Sequence, residues 1–163
     1  MNYQLSLVPP LASFEMISLE ELNRCLVSWN HKMGELHRPM AAPFCYGLLH
    51  NGETIGVIAH SSLIPAELHG LTHANTIEVS RLCAARHSLC RVVLRLWREL
   101  VFPFTDYTYA ISYQDEQLHT GNIYRFDGWK PFTRTRSGTD QRSGRKGRNK
   151  TVWIWEKKGT RQS

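Results

Sequence analysis

The segment IYRFDGW, residues 123–129, places a tyrosine four residues before a glycine. The phenol of Tyr124 can donate a proton to a leaving group that gains negative charge, if the two are held close together. The alternative is that Tyr124 packs against a sheet with its hydroxyl in water. Tyr124 is therefore a candidate general acid, with a purely structural role still open.

Ser112 and Asp115 lie near the end of the segment YTYAISYQD, residues 107–115. The carboxylate of Asp115 could orient an amine or take a proton from it. It could equally cap a helix predicted to follow it. Ser112 and Asp115 are therefore candidate catalytic residues.

Two histidines, His31 and His37, occupy the irregular segment WNHKMGELHRP. An imidazole could take a proton from an amine, or bind a metal, at neutral pH; two exposed loop histidines are the alternative. With His60 and Asp115 they could supply ligands to a metal such as iron, but no spacing in the sequence matches a metal-binding motif. His119 matches no motif and is expected at the surface.

Arg81 lies among the apolar residues of TIEVSRLCA, residues 76–84. Burying an unpaired arginine is costly, so the side chain needs a partner of opposite charge. A structural partner would be Glu78 or another acid, and a functional partner would be a phosphate. The functional interpretation is slightly favoured.

Positive charge is concentrated at the C-terminal end of the chain. Residues 130–163 contain 11 lysines and arginines and two acidic residues, whereas residues 1–129 contain nine and 12. This asymmetry favours a polyanionic partner, because basic side chains that neutralise phosphates release counterions; a solvated run of charge is the alternative. A basic segment at 134–150 lies between two predicted strands, and we expect it to contact a nucleic-acid backbone through Arg134, Arg136, Arg142, Arg145, Lys146, Arg148 and Lys150.

Periodicity, capping residues and turn signals predict alternating strands and helices. The predicted strands cover residues 3–10, 44–49, 54–60, 76–84, 107–113, 129–135 and 151–156, and the predicted helices cover 19–30, 89–100 and 116–126. Ser18 and Glu21 form a capping box before the first helix. Asn51 and Gly52 are a hairpin turn, and Gly128 ends the third helix. The order predicts one mixed α/β domain spanning 1–163.

The second predicted helix has the clearest amphipathic pattern, with Ser88 as its cap. We expect its apolar face to comprise Leu89, Val92, Val93, Leu96, Trp97 and Leu100, and its arginines Arg91, Arg95 and Arg98 to point outward.

Four cysteines, at 25, 45, 83 and 90, show no CxxC pairing. They are typical of reduced, mostly buried thiols in a cytoplasmic protein. No stretch reaches the roughly 18 apolar residues of a membrane span, so we expect neither secretion nor a membrane partner.

The predicted order of elements resembles the GCN5-related N-acetyltransferase (GNAT) fold, a mixed sheet flanked by helices. In that fold a strand leads into a turn whose N–H groups hold the pyrophosphate of an acyl-CoA at a helix N-terminus. The matching stretch is VSRLCAARHSLCRVVLRLW, residues 79–97, and the resemblance implies an acetyl-CoA site at Leu82, Cys83, Arg86, Ser88 and Leu89. The turn lacks the glycines usual in this fold, which hinders close approach of a diphosphate. The Arg86 side chain and the N–H groups after Ser88 could still hold a phosphate.

Several segments together resemble the Mom proteins of Mu-like phages, a divergent branch of these acyltransferases. They are SRLCAAR, LCRVVLRLWRE, AISYQDE, GNIYRFDGW and the WIW strand after the basic segment, spanning roughly residues 29–157. The resemblance implies a phage enzyme in the bacterial cytoplasm that converts the exocyclic amine of adenine in double-stranded DNA to a carbamoylmethylated form, which host restriction enzymes fail to cut. It also favours His31 as a catalytic residue, and iron has been considered for the family. The role of Tyr124 is implied by the GNAT fold, because IYRFDGW resembles its Y-x-x-x-G-F/W element, in which the tyrosine is the general acid toward the leaving thiolate.

A carbamoylmethyl product is not what simple acetyl transfer yields. Acetyl-CoA is the donor that the fold implies, and a glycine-derived donor such as an aminoacyl-tRNA would suit the glycine-free turn. Adenine must leave the duplex to expose its amine, and the flipped base could stack on Trp29, Trp129, Trp153 or Tyr113.

Two other classes of function remain open. A non-catalytic nucleic-acid-binding protein could keep the fold and lose the cofactor turn, and an N-acetyltransferase could act on a small amine or on RNA. A homodimer is also left open by the sequence.

Overall fold

A computed structural model describes residues 11–37, 43–136, 138 and 147–159. The strand predicted at 3–10 lies outside these residues, as do Arg142, Arg145 and Lys146. Within them the chain forms, in order, β1 (Ala12–Met16), α1 (Leu19–Ser28), β2 (Phe44–His50), β3 (Glu53–Ser62), β4 (Glu67–Leu68), β5 (Leu71–Thr72), β6 (Thr76–Ala84), α2 (Leu89–Leu100), a 3-10 turn (Phe102–Phe104), β7 (Tyr109–Asp115), α3 (Asn122–Asp127), β8 (Lys130–Arg136) and β9 (Asn149–Glu156).

Seven strands form one sheet in the order β1-β2-β3-β6-β7-β9-β8. All neighbouring strands are antiparallel except β6 and β7, which run parallel. Their pairing stops at Val79 and Ser112, although β6 continues to Ala84 and β7 to Asp115. The two strands therefore diverge at their C-terminal ends, and the prediction of a mixed α/β sheet flanked by helices is confirmed.

The hairpin between β2 and β3 forms where the sequence predicts it. Asn51 and Gly52 both have positive φ, 49° and 81°, which a tight two-residue hairpin turn requires. The strand of residues 76–84 also has the predicted bounds. The sequence did not predict β1, which starts after the prolines, or the short β4–β5 hairpin in the segment expected to be a polar connection.

The first helix begins as predicted and ends two residues early. The Ser18 hydroxyl accepts a hydrogen bond from the Glu21 N–H, while the Glu21 carboxylate binds Arg24 and Thr54. At the other end Asn30 adopts a left-handed conformation with φ 53°. Asparagine is tolerated there, and the resulting cap fixes the position of the next residue, His31.

The second helix has the predicted bounds, but its buried face is rotated relative to the prediction. The buried residues are Cys90, Val93, Leu94 and Trp97, while Val92 and Leu100 are exposed. Both stripes satisfy helical spacing, and contact with the sheet selects between them. Two further expectations are wrong: Ser88 makes no side-chain capping bond, and Arg98 is largely buried rather than outward-facing.

The sheet has cores on both faces. Val57 and Ile58 are consecutive on β3 and therefore point to opposite faces. Ile58 belongs to the core under α2 and α3, and Val57 belongs to the core under α1. A third cluster, which includes Leu71 and Ile111, lies between the β4–β5 hairpin and β7.

The third helix is shorter than predicted. It spans only Asn122–Asp127, and residues 116–121 form a turn-rich connection instead. Gly128 ends the helix in a left-handed conformation with φ 89°, as expected of a C-terminal glycine. In the described ranges no helix has both the length and the apolar composition needed to cross a membrane.

Candidate active site where two strands diverge

The hydroxyls of Ser112 and Tyr124 meet at the point where β6 and β7 part. Their oxygens are 2.8 Å apart and both side chains are buried. Ser112 is the last residue of β7 that pairs with β6, and Tyr124 comes from α3, which packs over the same face of the sheet. The structure thus brings together two of the predicted catalytic residues, and the interpretation of Tyr124 as a tyrosine with its hydroxyl in water is wrong.

Tyr124 is held by aromatic rings on two sides. Trp153 stacks on it with ring centroids 5.7 Å apart and 16° between the planes, and Trp129 meets it edge-on at 5.8 Å. Burial raises the pKa of Tyr124 to about 12, although the hydrogen bond with Ser112 acts in the opposite direction. The phenol therefore keeps its proton at neutral pH, as a general acid must.

An ion pair fixes the helix that carries Tyr124. The Arg98 guanidinium on α2 donates to both oxygens of Asp127 at the end of α3, over 2.7 and 3.0 Å. The Trp129 indole N–H donates to the same carboxylate over 2.9 Å. Arg98 also lies 4.2 Å above the ring of Trp155. These contacts tie α2, α3 and β9 together around Tyr124.

A buried hydrogen-bond network that was not predicted from the sequence lies beside this pair. The Gln114 amide accepts from the Trp153 indole N–H over 2.7 Å and donates to the His119 carbonyl over 2.6 Å. A Cβ on Gly121 would lie 2.4 Å from Gln114 and 2.7 Å from Trp153, and φ there is +76°. Only glycine fits this position without strain. The alternation of β7 places Gln114 and Ser112 on the same face, which is the one signal available in advance.

His31 lies in the loop after α1, close to β6. Burial, the positive charge of Arg81 and the proximity of His119 lower the pKa of His31 to about 4, against a backbone hydrogen bond with Leu82. Its Nδ1 atom is buried and has no hydrogen-bond partner in the described part of the chain. His31 is thus a neutral imidazole with an uncommitted lone pair. His37 is exposed, 3.4 Å from Glu35, and has no link to this site.

Arg81 is buried and binds backbone carbonyls. Its guanidinium donates to the oxygens of Gly34, Glu35 and Ser80 over 3.1, 3.2 and 2.8 Å. These bonds attach the loop that carries His31 to β6. These contacts give Arg81 a structural role, whereas the sequence slightly favoured a phosphate-binding role.

Two acids at the end of β7 pair with the basic segment. Arg148 donates to Asp115 over 2.9 Å, and Arg134 donates to both oxygens of Glu116 over 2.8 and 2.6 Å. Burial alone would raise the pKa of Asp115, but hydrogen bonds from Arg148 and the Gln117 N–H outweigh it and lower the pKa. The bond from Gln117 caps a turn rather than the helix expected at 116–126.

Arg136 and Lys150 complete the described part of the basic segment. Arg136 is exposed, and Lys150 lies 6.0 Å from the centre of the Tyr113 ring. Trp129 and Trp153 are buried in the core and are not accessible to a flipped base, whereas Trp29 and Tyr113 are partly exposed. Tyr113 faces away from Ser112 because neighbours on a strand alternate.

The turn between β6 and α2 is fully exposed over residues 85–88. Here the Leu89 and Cys90 N–H groups donate to the carbonyls of Arg86 and His87, so the expectation of free N–H groups after Ser88 is wrong. Arg86 and Ser88 present side chains to solvent. Leu82 is partly buried, and Cys83 packs into the core under α1.

His60 also proves to be a core residue. It accepts a hydrogen bond at Nδ1 from the Trp97 indole N–H over 3.0 Å and stacks between Phe44 and Tyr46. Burial lowers its pKa to about 4. Across the described ranges, no three histidine, cysteine or acidic side chains lie close enough to hold a metal ion, so the metal site considered from His31, His37, His60 and Asp115 is not formed there.

No protein-family model and no curated protein matches the sequence. Solved structures do share its architecture. NAA60 from Arabidopsis thaliana, bound to a bisubstrate analogue, has a TM-score of 0.64 at 9% identity and covers 89% of this chain and 97% of its own. A variant of the SpeG spermidine N-acetyltransferase from Vibrio cholerae has a TM-score of 0.64 at 10% identity, with 90% and 94% covered. A Bacillus subtilis acetyltransferase in complex with CoA has a TM-score of 0.58 at 13% identity, with 89% and 98% covered. The chain therefore has the fold of the GNAT acetyltransferases.

Proposed function

We propose that this chain is a group-transfer enzyme that modifies the exocyclic amine of adenine in double-stranded DNA, with Tyr124 as the proton donor. The observation that carries the proposal is the buried hydrogen bond between Ser112 and Tyr124 at the point where β6 and β7 diverge. A protonated phenol in that position can neutralise a leaving group as it departs. Such a role protects DNA from restriction enzymes by altering the base that they read.

Three side chains could handle the protons of the transfer: those of Tyr124, Ser112 and His31. As the amine nitrogen bonds to the donor carbon, the bond to the leaving group breaks and Tyr124 gives that group its proton. Ser112 orients the phenol and can relay a proton back to it. His31 is neutral at pH 7 and could accept the proton that the amine loses at Nδ1, but its lowered pKa makes it a weak base.

The fold makes an acyl-CoA the first candidate donor. When bound, it supplies an electrophilic carbonyl carbon and a thiolate leaving group. The exposed side chains of Arg86 and Ser88, beside the N-terminus of α2, could contact its phosphates in place of a glycine-rich backbone. A carbamoylmethyl product requires a glycine-derived donor, such as an aminoacyl-tRNA, or further chemistry.

Support for an amine acceptor comes from relatives in fold, one of which is a spermidine N-acetyltransferase. Support for DNA comes from the resemblance to the Mom proteins and from the basic segment. Its described part is anchored by β8 and β9, and Arg134 and Arg148 lie at Glu116 and Asp115, close in sequence to Ser112. DNA bound there would lie beside the divergence of β6 and β7.

A second candidate is a non-catalytic nucleic-acid-binding protein. The observation that favours it is the turn after β6, where two N–H groups are already bonded to backbone carbonyls. Such a protein would bind DNA with the same basic segment and leave the adenine unchanged.

Nucleoside mass spectrometry on plasmid DNA from cells that express the chain separates these candidates. The proposal predicts a heavier deoxyadenosine that is absent from vector controls, and the added mass identifies the donated group. Unmodified adenine in cells that contain the folded protein and the activated donor would contradict the enzyme hypothesis and favour the non-catalytic DNA-binding protein.

A further inference from the structure

Two exposed imidazoles face each other beyond the C-terminal ends of β6 and β7. His87 comes from the turn before α2, and His119 comes from the connection after β7. Their ring centroids are 6.3 Å apart and their planes are within 13° of parallel. They belong to segments on opposite sides of the divergence between β6 and β7. Neither histidine is accounted for by the proposed chemistry.

Hydrogen bonds hold the backbone of both histidines. The His119 carbonyl accepts a 2.6 Å hydrogen bond from Gln114, which is itself held by Trp153. The His87 carbonyl accepts from the Cys90 N–H over 3.1 Å at the start of α2. The backbone that carries the two rings is therefore held in place before any ligand arrives, which reduces the entropy that binding must overcome.

Electrostatic interactions link the surroundings of the pair to two of the groups that would react. Cys90, three residues after His87, is near enough to Tyr124 to influence its ionisation, and His119 is near enough to His31 to do the same. The Nδ1 atom of His31, which is buried and has no hydrogen-bond partner in the described chain, is a further polar group in this part of the fold. A planar ligand between the two imidazoles would therefore be held near the C-terminal ends of β6 and β7.

We propose that His87 and His119 form a clamp for the planar base of a nucleic acid, which holds a flipped adenine with its amine toward Tyr124 and His31. The proposal rests on the proposed function and names residues that would bind its substrate. Aromatic side chains, histidine included, are common stacking partners for unstacked bases. Bases stack about 3.4 Å apart, so a ring between two others needs outer rings about 7 Å apart. The observed 6.3 Å requires little movement.

The composition of the turn also fits a base, and it does not fit a diphosphate cradled by backbone N–H groups. A diphosphate cradle needs glycines that let the backbone come close. Here every residue from 85 to 88 has a side chain, and the N–H groups of Leu89 and Cys90 are already bonded. The turn presents an imidazole to the gap instead.

The test compares two duplexes that differ only at one position. One carries an adenine opposite an abasic residue, so that the base is free to leave the helix, and the other carries an abasic residue in place of that adenine. The wild-type chain is expected to bind the first duplex about tenfold more tightly, because stacking contributes on the order of 1–3 kcal/mol per base. In the double variant His87→Ala/His119→Ala the preference is expected to disappear, with affinity for the second duplex unchanged.

The variant His50→Ala/His73→Ala is the matched control, since it also removes two exposed histidines. It is expected to keep the tenfold preference. Equal affinity of the wild-type chain for the two duplexes would overturn the clamp. Equal loss of affinity for both duplexes in the His87→Ala/His119→Ala variant would also overturn it, because the histidines would then contact phosphates rather than the base. Binding is measured without turnover, so the clamp can fail while adenine is still modified, and it can hold in a chain that modifies nothing.

Discussion

Two arginines make the same contact in different surroundings. Arg98 donates hydrogen bonds to both oxygens of Asp127 over 2.7 and 3.0 Å, and Arg134 donates to both oxygens of Glu116 over 2.8 and 2.6 Å. The side chains of the first pair are only 13% and 2% exposed, whereas those of the second are 69% and 24% exposed. Water can replace the second pair with little loss of free energy, but it cannot replace the first.

The difference assigns separate tasks to the two pairs. The buried pair holds the helix that carries Tyr124 and belongs to the permanent structure of the site. The exposed pair sits at the base of the basic segment, where a phosphate can take the place of the carboxylate. The chain thus combines a rigid centre with arginines that remain available to a polyanion.

The largest expected effect comes from breaking the buried pair. Asp127→Asn removes the charge that Arg98 needs and weakens the acceptor for Trp129, so we expect the free energy of unfolding to fall by about 3 kcal/mol. Chemical denaturation measures it. The matched variant Glu116→Gln, at the exposed pair, is expected to leave stability unchanged. Equal losses in the two variants would show that burial does not distinguish them.

A buried and an exposed histidine should differ in the same way in their effect on stability. The pKa of His60 is lowered to about 4, so the unfolded chain takes up a proton near pH 6.5 while the folded chain resists until about pH 4. The contribution of His60 to the free energy of unfolding should be fully present above pH 6.5 and should fall by about 3 kcal/mol as the pH drops to 4.

Denaturation at several pH values tests this effect. His60→Gln should reduce the acid limb of the profile and leave the part due to His31, whose pKa is also lowered to about 4, and the exposed control His50→Gln should not change it. An unchanged acid limb in His60→Gln would exclude His60 as the source.

Short-range signals predicted most of the architecture. The Asn51-Gly52 turn, the Ser18 cap and the Gly128 stop act within a few residues, and each forms as expected. The face of α2 could not be chosen in advance, because Val92 and Leu94 both fit a helical stripe and only the sheet decides which is buried.

The site was only partly predictable for a similar reason. Tyr124 and Ser112 stood out by motif and by position on a strand. Their surroundings depend on contacts between distant residues, such as Gln114 with Trp153, which are 39 positions apart. The charge of Arg81 and Arg134 was visible in the sequence, but their partners, carbonyls in one case and Glu116 in the other, were not.

The smallest expected effect lies at the exposed pairs. Arg134→Gln/Arg148→Gln removes two of the proposed contacts to DNA phosphates, so the slope of log K against log salt should become shallower by about 2, with affinity reduced several-fold at low salt. The control Arg24→Gln/Arg95→Gln removes two exposed, paired arginines elsewhere. If both double variants behave alike, the effect reflects net charge rather than a binding surface.

The central claim is that the phenol of Tyr124 acts in the transfer reaction, and the amount of modified deoxyadenosine made by Tyr124→Phe tests it most directly. The variant should fold and bind DNA as the wild type does, because the aromatic packing against Trp153 and Trp129 is kept. Loss of the proton donor is expected to reduce modification by about a hundredfold or more at matched protein levels. Wild-type amounts of modified adenine in cells that express Tyr124→Phe would contradict the claim.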